Sequence, residues 1–177
     1  SESGNTNIVK YLIEECSSDA NAKDGDGKTP LYYATVVGHL DIVKYLIKNF
    51  PTDVNKKDDD EKTLLHYASE SGNVDIVKYL IEECHADANV KDGDGKAPLH
   101  YTSENGIIDI VKFLIEECHV DANTKGENGK TPLHYATDSC NTEIIEYLVE
   151  ECHADAKVKD NEGRTPMDYA TDSGNSE

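Results

Sequence analysis

The chain has 177 residues, 37% hydrophobic and 30% charged, and its 36 acidic against 17 basic side chains leave a net charge of −19. No stretch approaches the roughly 18 consecutive apolar residues of a membrane span, and a field of this sign repels both nucleic acid and anionic lipid. A partner chosen by electrostatics is therefore basic or of mixed charge.

Self-similarity organises the rest. Residues 1–23 form a half unit in which Ile8, Val9, Leu12 and Ile13 mark the apolar side of a helix. Whole units follow at 24–57, 58–91, 92–125 and 126–159, with a half unit at 160–177. One motif opens the first helix of each: Thr29-Pro30-Leu31-Tyr32-Tyr33-Ala34, Thr63-Leu64-Leu65-His66-Tyr67-Ala68, Ala97-Pro98-Leu99-His100-Tyr101-Thr102, Thr131-Pro132-Leu133-His134-Tyr135-Ala136 and Thr165-Pro166-Met167-Asp168-Tyr169-Ala170. The spacing is 34 residues without drift. Thr before Pro is an N-cap followed by the one helical position where a missing N–H is harmless. The first helices are predicted to stop at Gly38, Gly72 and Gly106, as left-handed C-terminal residues. Cys140 takes that place in the fourth whole unit, where a left-handed backbone costs about 1 kcal/mol. A second helix follows, with Ile76, Val77, Leu80 and Ile81 on one face in unit 58–91. A polar segment such as Lys91-Asp92-Gly93-Asp94-Gly95-Lys96 then turns the chain. Two short helices with one apolar side close no core alone, so the units must stack.

In this order, Thr-Pro-Leu-His-x-Ala, a glycine, Ile-Val-Lys-x-Leu-Ile and Ala-Asp-x-Asn resemble the ankyrin repeat over essentially the whole chain. The resemblance implies a single all-α domain, a solenoid of stacked helix–turn–helix units with β-hairpin-like finger loops. It also implies partner binding at the finger tips and on the concave face of the first helices, with no chemistry of its own. The repeat here is longer than the family's roughly 33 residues. The extra residue falls at the end of the second helix, where Glu82-Glu83-Cys84-His85-Ala86-Asp87 replaces a segment that usually carries glycine, so the exit of that helix is left open. Leu64 stands where the family has proline. Ser1-Glu2-Ser3-Gly4-Asn5 aligns with Ser69-Glu70-Ser71-Gly72-Asn73, and the chain reads as a segment of a longer array.

Other constellations are weaker. Cys16, Cys84, Cys118 and Cys152 share one repeat position, and His85, His119 and His153 follow three of them. Equivalent positions of stacked helices lie ~8–10 Å apart, too far for four ligands to meet at about 2.0–2.3 Å from one zinc or for the roughly 4.4–6.8 Å of a disulfide. Five cysteines, an odd number, fit a reduced intracellular setting, the cytoplasm first. Asp24-Gly25-Asp26-Gly27 and Asp92-Gly93-Asp94-Gly95 lack the frame of a calcium loop and read as hairpin turns. His66, His100 and His134 belong to the opening motif, and no nucleophile recurs with them. No catalytic residue, metal or cofactor is expected, and the chain is not read as an enzyme. Asn55, Asn89 and Asn123 resemble positions that asparaginyl hydroxylases modify in this family; they are read as bonding the hairpin backbone.

The positions left free by the scaffold are finger tips and the exposed ends of first helices. Asp26, Asp59, Asp60, Asp94 and Glu127 stand on fingers, and Glu70, Glu104 and Asp138 at helix ends. Lys28, Lys62, Lys96, Lys130 and Arg164 count among the free finger positions. Val36 and Val37 are apolar in the first whole unit where the others are polar. That unit carries +1, against −6, −4 and −4 for the next three. The expectation is a monomeric interaction scaffold binding a basic or mixed-charge protein or peptide on these residues, its termini open to end-to-end contacts. The alternative is a structural spacer or spring-like segment without a dedicated site, which the near-identity of the units favours.

Overall fold

A computed structural model describes residues 4–16 and 18–174; the alignment of Ser1-Glu2-Ser3 with the end of a first helix lies outside the described residues. Among these there are ten α-helices and no strand, and no helix is long and apolar enough to cross a membrane. The first helices α2 (Pro30–Val37), α4 (Leu64–Glu70), α6 (Pro98–Glu104), α8 (Pro132–Asp138) and α10 (Pro166–Gly174) stack in one layer. The second helices α1 (Gly4–Glu14), α3 (Leu40–Asn49), α5 (Val74–Glu82), α7 (Ile108–Lys112) and α9 (Thr142–Glu146) form the other. The all-α solenoid read from the sequence is the fold.

Both ends of each first helix follow the sequence. At the start, the amides of Thr63, Ala97 and Thr131 donate to Nδ1 of His66, His100 and His134 at 3.0, 2.9 and 3.1 Å, which satisfies backbone donors that have no intrahelical partner. At the end, Gly38, Gly72 and Gly106 are left-handed, with φ of 87°, 74° and 75°. At Gly38 the lack of a side chain also serves packing, since a Cβ would lie 2.5 Å from Oδ1 of Asn73. That asparagine donates to the Thr35 and Val36 carbonyls. Cys140 is left-handed too, at φ 56°.

In units 58–91, 92–125 and 126–159 the extra residue becomes a π turn. α7 and α9 continue through Phe113–Glu117 and Tyr147–Glu151, closed by Cys118 N–H to the Phe113 carbonyl and Cys152 N–H to that of Tyr147, both 3.2 Å. In unit 58–91 Cys84 N–H reaches the Tyr79 carbonyl at 3.3 Å. A π turn holds one more residue than an α turn. His85, His119 and His153, at φ of 55°, 55° and 52°, then lead the chain out where the family uses glycine. Unit 24–57 differs because Pro51 stands at this position and cannot adopt positive φ. There α3 ends on an ordinary bond from Phe50 N–H to Leu46, and Phe50 is extended.

One continuous core runs between the layers, including Leu31, Val43, Leu46, Leu65, Val77, Leu80, Leu99, Val111, Leu114, Leu133 and Leu148. Of the predicted stripe in α5, Ile76, Val77 and Leu80 are buried while Ile81 is half-buried. Ile8 and Leu12 of α1 are exposed, and Val9 and Ile13 pack against the core. Cys84, Cys118 and Cys152 are half-buried free thiols beside it.

The fingers are four-residue turns rather than strand hairpins. Each is closed by paired backbone bonds such as Asp58 N–H to Lys62 and Glu61 N–H to Asp58. The turn needs a left-handed residue, supplied by Gly27, Gly95, Gly129 and Gly163 but by Glu61, at φ 56°, in the second finger. Neighbouring fingers share one backbone bond: Gly93 to Asp60 at 3.0 Å, Glu127 to Asp94 at 3.2 Å and Asn161 to Asn128 at 2.9 Å. No such bond joins Asp59 to Asp26 among the described residues. A Cβ on Gly27 would meet nothing within 4 Å, while one on Gly95 would lie 2.6 Å from the Glu127 nitrogen.

Candidate partner-binding surface

An aspartate anchors the base of most fingers. Asp92 Oδ1 accepts the amides of Asp94 (3.0 Å) and Lys96 (2.9 Å), and its Oδ2 accepts the Tyr101 hydroxyl at 2.5 Å. Asp24 with Tyr33, Asp58 with Tyr67 and Asp160 with Tyr169 repeat the pair. Gly126 occupies the aspartate position in the fourth whole unit, and there Asn128 donates to the Tyr135 hydroxyl instead, at 3.0 Å. Burial, reinforced by the aspartate bond, pushes the phenol of Tyr67 up to about 12 and that of Tyr101 higher still.

The cation of each finger then lies between two tyrosines, one from its own unit and one from the next. Lys62 sits 5.4 Å from the Tyr67 centroid and 4.7 Å from that of Tyr101. Lys96 lies 4.9 Å from Tyr101 and 4.5 Å from Tyr135, and Lys130 lies 5.5 Å from Tyr135 and 4.2 Å from Tyr169. Arg164 ends the column at 3.9 Å over Tyr169. Cations over ring faces are attracted by the ring quadrupole, more so when half-desolvated. These four, and Lys28 over Tyr32 and Tyr67 at 4.6 and 4.9 Å, were expected at free positions; all five are half-buried and bound within the stack.

The same cations neutralise part of the predicted acidic face. Lys62 bonds Glu70 at 3.0 Å, Lys96 bonds Glu104 at 2.8 Å and Lys130 approaches Asp138 at 3.6 Å. Asp26, Asp59, Asp60, Asp94 and Glu127 are exposed and meet no cation among the described residues. The face is therefore a row of free finger-tip carboxylates above a column of internally paired charge. Both the lysine and the tyrosine recur every 34 residues. That signal was present in the sequence, but nothing in the spacing tells that a lysine reaches the ring of the next unit.

The histidines tie the stack: His66 and His134 bond the next unit, and His100 bonds the end of its own. Because each Nδ1 accepts an amide, the proton sits on Nε2, which faces the carbonyl oxygens of Lys96, Thr124 and Arg164 at 3.1, 3.1 and 3.2 Å from His66, His100 and His134. Burial lowers the pKa of all three, that of His100 to about 4, so they are neutral. Asn55 and Asn123 tie units in a similar way, accepting the amides of Asp87 and Asp155 at 3.1 Å.

At the first junction the lock is missing, since Tyr32 replaces the histidine. Its ring packs edge-on to Tyr33 and Tyr67, with centroids 5.2 and 4.7 Å apart, and its hydroxyl bonds nothing among the described residues. A groove of about 440 Å³ opens there, lined by Lys28, Tyr32, Val36, Asp60, Lys62, Tyr67, Glu70 and Ser71. It brings together Val36, Asp60 and Glu70 of the predicted site residues. Val37, next in the chain, is 63% exposed; Asp26, Asp59, Asp94, Glu104, Glu127 and Asp138 lie outside the groove. Among the described residues no group of three or more His, Cys, Asp or Glu side chains converges as metal ligands would.

A family model described as ankyrin repeats matches the chain in three copies, at residues 1–92, 50–125 and 99–177. No curated protein matches it.

Proposed function

Since this chain belongs to the ankyrin repeat family, whose members are generally protein–protein interaction modules, we propose that its concave face holds a protein or peptide of basic or mixed charge, seated in the groove between α2 and α4. The groove itself carries this: it sets Val36 and the rings of Tyr32 and Tyr67 beside Asp60 and Glu70. Aromatic and apolar anchors in a recess supply most binding energy, while rim charges act on encounter and partner choice. The free carboxylates of Asp26, Asp59, Asp60, Asp94 and Glu127 are the rim, and Val37 extends the apolar step. The scaffold acts by holding its partner, with no catalysis and no nucleic-acid or membrane role.

Selection from a displayed random-peptide library, followed by NMR mapping of the best binder, tests this. Selected peptides should be rich in Lys and Arg around one apolar residue, and their shifts should cluster at Val36, Val37, Asp60 and Tyr67. Shifts confined to α3, α5 and α7 would overturn the placement. The spacer reading draws support from the column of lysines and tyrosines, which is internal and nearly identical from unit to unit; failure of any selected peptide to bind would favour it.

A further inference from the structure

A second cleft, of about 460 Å³, shares Lys28, Tyr32, Lys62 and Tyr67 with the groove and runs from them toward the loop after α3. Its charge is opposite to that of the molecule. Lys23, Lys28, Lys56, Lys57 and Lys62 line it, against Asp53 and Asp58, in a chain of net charge −19. Asp58 is already saturated: Oδ1 accepts the amides of Asp60 and Lys62, and Oδ2 accepts the Tyr67 hydroxyl and Lys28 Nζ. Lys57 and Lys62 are held by Glu61 and Glu70. Lys23 and Lys56 meet no anion among the described residues.

Lysines at the positions of Lys23, Lys57 and Lys62 recur along the array, and at this junction they line an open cleft. Elsewhere a buried histidine ties its first helix to a backbone carbonyl, across the seam at His66 and His134 and at the end of its own unit at His100, and Val90 and Val158 stand where Lys56 does. Here Tyr32 makes no imidazole bond across the seam, Pro51 redirects the chain after α3, and the first finger makes no backbone bond to the second among the described residues. At physiological ionic strength the Debye length is about 8 Å, so the acidic units further along are screened and the five lysines set the local field. Lysine suits phosphate as a point-charge donor, and the volume falls within the usual range of small-molecule sites.

We propose that this cleft binds a small molecule bearing two or more phosphate groups, held by Lys23 and Lys56 with Lys28, Lys57 and Lys62 around it. The cleft adjoins the partner groove and shares four residues with it, but the proposal does not rest on the function proposed for that groove. Calorimetry with inorganic tripolyphosphate tests the chemistry, and sedimentation with vesicles carrying a phosphatidylinositol bisphosphate tests whether the phosphates can come from a lipid headgroup. Saturable one-site binding is expected. Lys23→Ala with Lys56→Ala should weaken it roughly tenfold or more without moving the thermal midpoint, since neither side chain has a partner to lose. Lys125→Ala with Lys159→Ala, at closed junctions, should change nothing. Tyr32→His should restore the seam, raise the midpoint and abolish binding. Binding in solution without vesicle capture identifies a free metabolite; vesicle capture competed by tripolyphosphate identifies a headgroup; both uphold the site. No saturable binding by either probe, or binding equally sensitive to the two lysine pairs, overturns it.

Discussion

His66 is bonded to Lys96 across a repeat boundary: Nε2 of the buried imidazole donates to the carbonyl oxygen 3.1 Å away, while Nδ1 accepts the Thr63 amide. A proton on Nδ1 would point at a donor. His66, and likewise His134 on Arg164, must therefore stay neutral for its two units to remain joined.

The stack should lose stability as the pH falls from about 6.5 toward 4. The three histidines have depressed pKa values in the folded chain, that of His100 about 4. The unfolded chain binds protons first, so stability is full above the unfolded value near 6.5 and declines below it, by up to about 3 kcal/mol for His100 alone. Urea midpoints at pH 7.5, 5.5 and 4.5 will show this, and His100→Gln should flatten the decline.

Replacing left-handed non-glycine residues with glycine should stabilise the chain. Cys140→Gly and His119→Gly should each add about 0.5–1 kcal/mol, the backbone penalty being partly offset by the greater freedom of glycine in the unfolded chain. Urea unfolding of each variant measures it, with Lys112→Gly in the exposed part of α7 as a control that should lose about 1 kcal/mol.

Tyr101→Phe and Tyr135→Phe should differ although the residues are equivalent. The first takes a donor from the buried carboxylate of Asp92 and should cost about 1–3 kcal/mol. The second loses only a bond to exposed Asn128 and should cost under about 1 kcal/mol. Paired thermal melts decide it.

Charge reversal on the concave face should separate into two kinds. Asp59→Lys and Asp94→Lys remove free tip carboxylates and should slow association with a basic partner while changing stability by less than about 0.5 kcal/mol. Glu70→Lys and Glu104→Lys leave Lys62 and Lys96 facing a like charge inside the column, and should lower stability as well. Stopped-flow binding and denaturant unfolding of the four variants distinguish them.

The architecture was legible because it repeats: the 34-residue period, the Thr-Pro starts and the glycine stops are local signals, and copying fixed the stacking. The left-handed Cys140 was legible for the same reason. What was not legible depended on which residue of the next unit each side chain meets. Lys62 was read as a free finger position, yet it lies between Tyr67 of its own unit and Tyr101 of the following one and bonds Glu70. The bond to Glu70 thins the acidic face expected from a charge count. Glu61 is the opposite case, a left-handed residue whose signal, four glycines at the same spacing, was readable.

The seam without a histidine has a mechanical consequence. In a linear array, cooperativity is carried by nearest-neighbour coupling, and a weak coupling divides the array into blocks. Between the first two fingers there is neither a backbone bond nor an imidazole crossing, while each of the three later junctions has the backbone bond and two of them an imidazole crossing as well. Pulled from its ends or warmed, the protein should part ahead of residue 58, releasing residues 4–57 as one block while 58–174 holds. Native-state hydrogen exchange should resolve that release as an opening with its own, lower free energy; uniform exchange across Leu46 and Leu114 would mean the seam couples as strongly as the rest.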